Sequence, residues 1–152
     1  MKKRPAQQIA EPSATVEGAQ IIPPGTYPSK RNTATAEVLT RLLAGETITA
    51  ATALEFASTM RAPALVHYLT ERYGWCILSD PRAAGCADGR VAMIAAYRLP
   101  QQTIVQARLS GGNEFAAEVH KARAALRARK AEAFRIAAAR NRASARRANP
   151  AQ

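Results

Sequence analysis

The sequence predicts a mainly α-helical fold with one small β-hairpin, followed by a long helix rich in alanine and arginine. Apolar residues recur at helical spacing between residues 33 and 74, and two extended apolar segments flank a turn-rich stretch between residues 75 and 99. Alanine dominates the chain from residue 113 onward. A chain of 152 residues is long enough for one modest domain rather than for two full ones.

The first two predicted helices lie within residues 33–57. Helix one begins at a threonine cap, Thr33 or Thr35, and stops at Gly45. Helix two follows a short apolar step at Thr47-Ile48 and takes Thr49 as its cap, because a threonine side chain can accept hydrogen bonds from the free N–H groups of the first turn. The residues of helix two expected to face the core are Ala53, Leu54 and Ala57.

The third predicted helix has an apolar stripe along one side. Pro63 has no backbone N–H to donate, so it must lie in the first turn, and the helix starts no earlier than about Met60. Gly74 ends this helix. The stripe that we expect to face the core consists of Ala62, Val66, Leu69 and Tyr73.

Residues 75–100 predict a β-hairpin. Its extended segments are residues 75–80 and 90–99, and the turn-rich stretch 80–89 predicts a long tip. Pro100 closes the unit. Trp75 and Tyr97 are expected in the core between the hairpin and the helices, where large aromatic residues anchor small domains.

These predictions divide the chain into four parts. Residues 1–32 hold five of the nine prolines and lack sustained periodicity, which predicts a disordered, basic leader. Residues 33–100 form the folded domain, and residues 101–112 are a linker or a short helix. Residues 113–152 are expected to form a basic C-terminal helix and tail, with Asn113 as the helix cap.

The C-terminal helix begins with a narrow apolar seam. The seam fails after about two heptads, since arginines occupy its later positions. This pattern predicts a short docking or dimerising helix over residues 113–126, and it leaves a homodimer open as one possibility. The seam consists of Phe115, Val119, Ala122 and Leu126.

Charge is distributed unevenly along the chain. A net charge of +11 and a pI near 10.6 favour a polyanionic partner. Residues 1–32 carry a net charge of +3, residues 33–112 only +1, and residues 113–152 +7. A near-neutral domain flanked by basic tails is typical of proteins whose tails act as interaction arms.

Composition and motifs disfavour several functional classes. The sequence has no glycine-rich phosphate loop, no nucleophile–histidine set and no metal-spaced cluster, so we expect no enzymatic activity, no cofactor and no metal. Cys76 and Cys86 are expected to be reduced thiols. No apolar run approaches the ~20 residues needed to span a bilayer, and the basic start has no secretory apolar region. We therefore expect a cytoplasmic protein without membrane contact.

Short matches spread over residues 34–100 form an ordered set. They are Leu42-Leu43-Ala44-Gly45, Ile48-Thr49, Ala53-Leu54, Met60-Arg61, Val66, Leu69, Tyr73-Gly74-Trp75, Ile77, Gly89-Arg90-Val91 and Tyr97-Arg98-Leu99-Pro100. In this order and at these separations, the segment resembles the helix-turn-helix domain of many small phage and prophage proteins, in its winged-helix variant. That family usually carries an arginine just before the Val or Ile of helix three, where this chain has Leu65.

The resemblance implies that helix three enters the DNA major groove while helix two braces it across the backbone. Arg61 is the best candidate for contact with a base edge, because a guanidinium can pair bidentately with guanine. The hairpin, acting as a wing, would present Arg82 and Arg90 to the minor groove or to adjacent phosphates. The outward arc of helix three holds Arg61, Ala64, Tyr68, Glu71 and Arg72, and the candidates for DNA contact among them are Arg61, Ala64, Tyr68 and Arg72.

The basic arm beyond residue 120 is expected to supply affinity without choosing a sequence. Each phosphate that it neutralises releases counterions, so binding should weaken steeply as the salt concentration rises. Alanine favours the helix, but isolated helices are marginal in water, so the arm should order further on a polyanion. The arm residues expected to contact phosphates are Arg127, Arg129, Lys130, Arg135, Arg140, Arg142, Arg146 and Arg147.

Together these features predict a non-enzymatic protein of phage or prophage type that binds double-stranded DNA. It would act in transcription regulation or as an accessory factor in excision or replication. The alternative is a protein-interaction module with a repurposed helix-turn-helix, which Leu65 and the near-neutral domain favour and whose partner would be a host or phage protein. A weaker alternative is RNA binding through the arginine-rich tail.

Overall fold

A computed structural model of the protein describes residues 22–148, which form six α-helices and one two-stranded antiparallel hairpin. The mainly helical fold with a small hairpin that the sequence predicts is confirmed. A kinked turn at residues 108–112 joins the fourth helix to the fifth. The elements are α1 (Ala34–Leu43), α2 (Ala50–Ala57), α3 (Ala62–Tyr73), β1 (Leu78–Gly85), β2 (Val91–Arg98), α4 (Gln101–Ala107), α5 (Asn113–Ala128) and α6 (Lys130–Ala148).

Helices α1 and α2 begin at predicted capping residues, and α3 ends at its predicted glycine. The Thr33 hydroxyl accepts a hydrogen bond from the Ala36 N–H at 3.2 Å, and Thr49 forms a reciprocal capping box with Thr52. Gly74 ends α3 at a φ of +73°, a left-handed conformation that residues with a Cβ atom rarely adopt. Local hydrogen bonding and backbone preference therefore account for these helix limits.

The core lies between α1, α3 and the base of the hairpin. Three of the four residues in the predicted stripe of α3, Ala62, Val66 and Leu69, are buried, and the fourth, Tyr73, is half-buried and packs against the same core. This confirms which side of α3 faces inward. The largest fully buried side chains include Trp75, Leu39, Leu42, Ile48 and Leu69.

Helix α2 buries less of its surface than the sequence predicts. Ala53 and Ala57 face the core, but the Leu54 side chain is 49% exposed, so the prediction that Leu54 points inward is wrong. Ala53 and Ala57 are four residues apart and share one side of the helix, whereas Leu54 lies about 100° further around the axis. The core contact of this short helix is therefore a narrow strip of alanines.

Strand β1 begins and ends later than predicted, and the hairpin tip is shorter than predicted. Strand β1 pairs with β2 along its whole length, with Leu78 opposite Arg98 and Gly85 opposite Val91. Most of residues 80–89, predicted as a long tip, therefore lies in β1. Pro81 is compatible with this position because both strands of a two-stranded sheet are edge strands, where a missing N–H need not face a partner.

One backbone bridge ties the base of the hairpin to the helices. The Ile48 N–H donates to the Tyr97 carbonyl and the Tyr97 N–H donates to the Ile48 carbonyl, each over 2.8 Å. Trp75 and Tyr97 are both buried, which confirms the prediction that these two aromatic residues lie in the core. The short apolar step before α2 therefore pairs with β2 at a single position.

Residues 25–31 form an extended segment, here called the strap, that packs against α3, α4 and α5. The Trp75 indole N–H donates to the Thr26 carbonyl at 2.7 Å, and the Tyr27 hydroxyl donates to the Ala107 carbonyl at 3.1 Å. The Tyr27 ring also lies 5.5 Å from the Trp75 ring, centre to centre. The strap thus joins the end of α3 to the end of α4.

The packing at Gly25 leaves no room for a side chain. A Cβ atom there would lie 2.3 Å from the Tyr73 carbonyl oxygen and 2.7 Å from the Trp75 ring. The predicted boundary of the leader at residue 32 is therefore corrected, because the strap is irregular in secondary structure but belongs to the folded domain. The rest of the predicted leader, residues 1–21, lies outside the described residues.

Helix α4 also contributes to the core. Of the two predictions for residues 101–112, the short helix is confirmed and the linker is wrong, because Thr103, Ile104 and Ala107 are buried. The prediction that Asn113 caps the next helix is wrong as well. Asn113 is the first residue of α5 and makes no capping hydrogen bond, since the chain enters α5 directly from the kinked turn.

The apolar seam of α5 packs within the protein. Phe115 and Val119 are buried, and the Phe115 ring lies 4.8 Å from the Tyr27 ring, centre to centre. Only the far end of the seam, Leu126, is exposed, at 44%. Phe115 and Val119 therefore fill the core of their own chain, which leaves Leu126 as the exposed end of the seam. The homodimer that the sequence leaves open through residues 113–126 stays a hypothesis.

A buried carboxylate fastens α5 to α1. The Glu37 side chain is 7% exposed and forms ion pairs with Arg123 and Arg127. Arg127 also donates to the Phe56 carbonyl in α2 at 2.8 Å. The loss of water around the carboxylate is compensated only while both arginines remain in place.

We predict that Glu37→Ala destabilises the protein by about 3 kcal/mol, since the change leaves the largely buried Arg123 without its partner. Urea unfolding followed by circular dichroism measures this free energy. Glu118→Ala is the matched control, because its ion pair with Arg31 is at the surface and should contribute less than about 1 kcal/mol. Equal losses for the two variants would contradict the central role of Glu37.

Candidate nucleic-acid interface

The outer side of α3 carries the four residues of this helix that the sequence predicts to contact DNA. Arg61, Ala64, Tyr68 and Arg72 are exposed and follow one another at helical spacing, so they lie along one side. Neither Arg61 nor Arg72 forms an ion pair with a described residue. The helix therefore offers two uncompensated guanidinium groups to the outside, one at each end.

The two ends of this surface differ in structure. Arg61 stands just before the first turn of α3, where its N–H donates to the Thr59 hydroxyl at 3.2 Å. At the other end, the Arg72 guanidinium lies 6.0 Å from the centre of the Tyr68 ring. Leu65 is half-buried and packs against the core. The side chain that replaces the arginine of the resembling family is therefore partly withdrawn from the outer surface.

Tyr68 and Tyr73 interact edge to face at the end of α3, with ring centres 5.4 Å apart. A hydrogen bond with Tyr68 is the main cause that raises the pKa of Tyr73 above the ordinary phenol value, and partial burial adds to it. The neighbouring Arg72 acts in the opposite direction, because a cation favours the phenolate. The two phenols and the guanidinium therefore form one polar group of side chains.

The hairpin offers less positive charge than its sequence indicates. Arg90 is paired with Asp88 at 2.6 Å, and Arg98 is paired with Asp80 at 2.7 Å across the strands. The Arg90 side chain and backbone lower the pKa of Asp88, which keeps the carboxylate charged. Arg82 is exposed and has no ion pair among the described residues. Of the two predicted hairpin contacts, only Arg82 has an uncompensated charge.

The exposed surface near the hairpin tip is apolar. Val91 is 76% exposed and Met93 is 67% exposed, and they point to the same face of β2 because they are two residues apart. Their partners on β1 are Gly85 and Ala83. The sequence analysis assigned no role to this apolar face.

The predicted arm residues fall into two groups. Arg127 is held by Glu37, and Arg129 lies at the break between α5 and α6, where it pairs with Glu132 at 3.3 Å. The other six are fully on α6, a 19-residue helix with no buried residue. These six exposed residues are Lys130, Arg135, Arg140, Arg142, Arg146 and Arg147.

The helical period arranges the arginines of α6 into two rows. Arg135, Arg142 and Arg146 are spaced so that they share one side, and Arg140 and Arg147 share another. Glu132 is the one acidic residue of α6, which ends at Ala148. The helix is therefore positively charged on two sides along most of its length.

The structure also places a lysine beside α3 that the sequence does not predict there. Lys30, at the end of the strap, lines a groove together with Tyr68 and Arg72 of α3. The sequence around Lys30 predicts a disordered leader, so spacing alone gave no signal that this lysine lies beside α3. The contacts of the strap with distant residues such as Trp75, Ala107 and Glu118 bring it there.

The described residues contain no group of three or more His, Cys, Asp or Glu side chains that could hold a metal ion. The two cysteines, Cys76 and Cys86, are free thiols. Over residues 22–148, none of the helices has the combined length and hydropathy that crossing a bilayer requires. Comparison with models of protein families, with characterised proteins and with solved structures gives no match for this chain.

We predict that Tyr68→Phe lowers the pKa of Tyr73, because the hydrogen bond with Tyr68 is the main cause of the raised value. An NMR titration of proteins with 13C-labelled tyrosine rings measures each phenol separately. Tyr27 is the internal control, since burial is the main cause that raises its pKa and the substitution leaves that burial unchanged. An unchanged Tyr73 titration would show that the two hydroxyls do not interact in solution.

Proposed function

We propose that this protein is a non-enzymatic, double-stranded-DNA-binding protein of phage or prophage type, acting as a transcriptional regulator or as an accessory DNA binder. In this proposal residues 33–100 are a winged helix-turn-helix domain. The order of three helices and a hairpin supports it, as does the bridge between Ile48 and Tyr97 that attaches the hairpin beside α2. The resemblance over residues 34–100 supports the same domain type.

The observation that carries the proposal is the distribution of paired and unpaired arginines. Most arginines around the core are compensated by carboxylates, whereas Arg61 and Arg72 on the outer side of α3 have no carboxylate partner among the described residues. Uncompensated guanidinium groups along one exposed helix are suited to phosphates and to guanine edges. The face of α3 is therefore the best candidate for base contact.

In the proposed complex α3 lies in the major groove and α2 crosses the backbone. Arg61 is placed to donate two hydrogen bonds to a guanine, and the small Ala64 side chain allows close approach or contact with a thymine methyl group. Tyr68 and Arg72 then face the phosphate backbone near the other end of the helix. The hairpin contributes Arg82, since Arg90 is compensated by Asp88.

Helix α6 supplies affinity in this proposal. Its exposed cations have no folded surface to stabilise, because none of its side chains is buried. Cations that neutralise phosphates release condensed counterions, which gives affinity that depends on salt and not on sequence. The arm therefore strengthens binding at any site, and the domain chooses among sites.

We predict that replacing Arg135, Arg140, Arg142, Arg146 and Arg147 with glutamine weakens binding to all duplexes. The slope of log affinity against log salt should fall by about 0.9 for each phosphate contact that is lost. Fluorescence anisotropy with a random duplex at about 50 mM and about 200 mM salt measures both quantities. The matched control carries lysine at the same five positions and should keep most of the slope. Absence of binding by the unmodified protein at the lower salt contradicts the proposed function.

We predict that Arg61→Ala lowers the preference for selected sites over random DNA by about 1–3 kcal/mol, because a bidentate contact with guanine is lost. Selection from a random duplex pool, followed by competition binding, measures this preference. Lys121→Ala is the control, since it removes one exposed charge from α5 and should leave the preference unchanged.

A protein-interaction module is the second candidate, and specific exposed apolar residues favour it. Met60 is 80% exposed beside Arg61, and Leu54 on α2 is 49% exposed. The apolar hairpin face adds Val91 and Met93. Under this alternative, Arg61→Ala with Arg72→Ala leaves DNA binding unchanged, and Met60→Ser with Met93→Ser abolishes binding to a protein partner.

A further inference from the structure

A polar groove separates the strap and the residues after it from the C-terminal half of α3. It encloses about 270 Å³, many times the roughly 30 Å³ that one water molecule takes up in the liquid. The two sides of the groove come from parts of the chain some forty residues apart in sequence, roughly residues 28–35 and 68–73. The lining residues are Pro28, Ser29, Lys30, Thr33, Thr35, Tyr68, Arg72 and Tyr73.

The lining of this groove carries positive charge and no negative charge. It contains two cations, Lys30 and Arg72, one on each wall, and no carboxylate. Neither cation forms an ion pair with a described residue. Hydroxyl groups make up most of the remaining polar lining. Ammonium, guanidinium and hydroxyl groups are the side chains that donate to phosphate oxygens.

The hydroxyl groups are not all available to a ligand. The Thr33 hydroxyl caps α1, and the phenols of Tyr68 and Tyr73 interact with each other. The cap places the positive end of the ten-residue helix α1 beside the groove, which favours an anion further. Ser29, Thr35 and the two cations remain as donors for an incoming group.

The strap holds Lys30 on its side of the groove. Arg31, the next residue, pairs with Glu118 at 2.6 Å, and its guanidinium lies 4.8 Å from the centre of the Phe115 ring. Arg31 also donates to the Pro28 carbonyl, which closes the turn around Lys30. Because these contacts hold the backbone around Lys30, binding an anion there requires ordering of the Lys30 and Arg72 side chains and not of the strap.

We propose that this groove binds one phosphodiester of the DNA backbone, held between Lys30 of the strap and Arg72 of α3. The inference rests on the proposed function, and it adds the strap to the DNA-binding surface. The phosphate would lie at the C-terminal end of α3, at the opposite end of the helix from Arg61. Contact there fixes how deeply α3 enters the DNA major groove and about which of its ends the helix pivots.

The test uses the full-length protein and a random duplex, with affinity measured at several salt concentrations. Lys30→Ala, Arg72→Ala and the double variant are compared with Lys121→Ala, which removes an exposed lysine charge on α5. Each of these three variants at Lys30 and Arg72 should weaken binding several-fold. If both side chains hold the same phosphate, the double variant loses about 0.9 in salt slope, the value for one phosphate and not for two. The fold-loss of the double variant should then be smaller than the product of the single losses.

Three results would overturn the proposal that Lys30 and Arg72 hold one phosphate. The first is a Lys30→Ala variant that binds as tightly as Lys121→Ala. The second is a double variant whose fold-loss equals the product of the single losses, which assigns Lys30 and Arg72 to separate phosphates. The third is an absence of DNA binding by the unmodified protein, which removes the proposed function as well. Lys30→Arg should restore binding, because it returns the charge without changing the fold of the strap.

Discussion

A carboxylate that loses its water is stable in a protein only when cations and hydrogen-bond donors replace that water. In this protein the carboxylate belongs to Glu37, and the cations belong to Arg123 and Arg127, which follow it by 86 and 90 residues. Both arginines are in α5. The ion pairs of one residue in α1 therefore fix α5 against α1, and the burial of Phe115 and Val119 holds the same helix in the core.

The positive charges fall into two groups, those paired with carboxylates and those without a carboxylate partner. Arginines that hold elements together face carboxylates, as Arg31 faces Glu118 and Arg98 faces Asp80. Most of the cations without a carboxylate partner among the described residues lie on the outer side of α3, at the end of the strap and along α6, and the others are Arg82, Arg108 and Lys121. A protein with a near-neutral folded part can in this way present a positive surface, because most of its carboxylates are paired with arginines elsewhere. Net charge alone conceals this arrangement, since it counts paired and unpaired residues alike.

Prediction from sequence succeeds here where a residue's own chemistry decides the outcome. Thr49 and Gly74 set helix ends through a side-chain oxygen and a missing Cβ atom, and the helical period places Arg61 and Arg72 on the outer side of α3. It fails where distant residues decide. Nothing in the spacing around Arg127 reveals that a carboxylate 90 residues earlier holds it. The strap, similarly, looks like a free leader because its partners lie in α3, α4 and α5.

The contacts of the strap depend on residues that are synthesised much later than the strap itself. The hydroxyl of Tyr27 reaches a carbonyl 80 residues later, and Arg31 pairs with a glutamate 87 residues later. Synthesis proceeds from the N-terminus, so the strap leaves the ribosome long before the surfaces on which it docks exist. Contacts so far apart in sequence also close slowly, because the intervening chain must first be brought together. The contacts of Tyr27 and Arg31 with α4 and α5 can therefore form only after those helices have been synthesised.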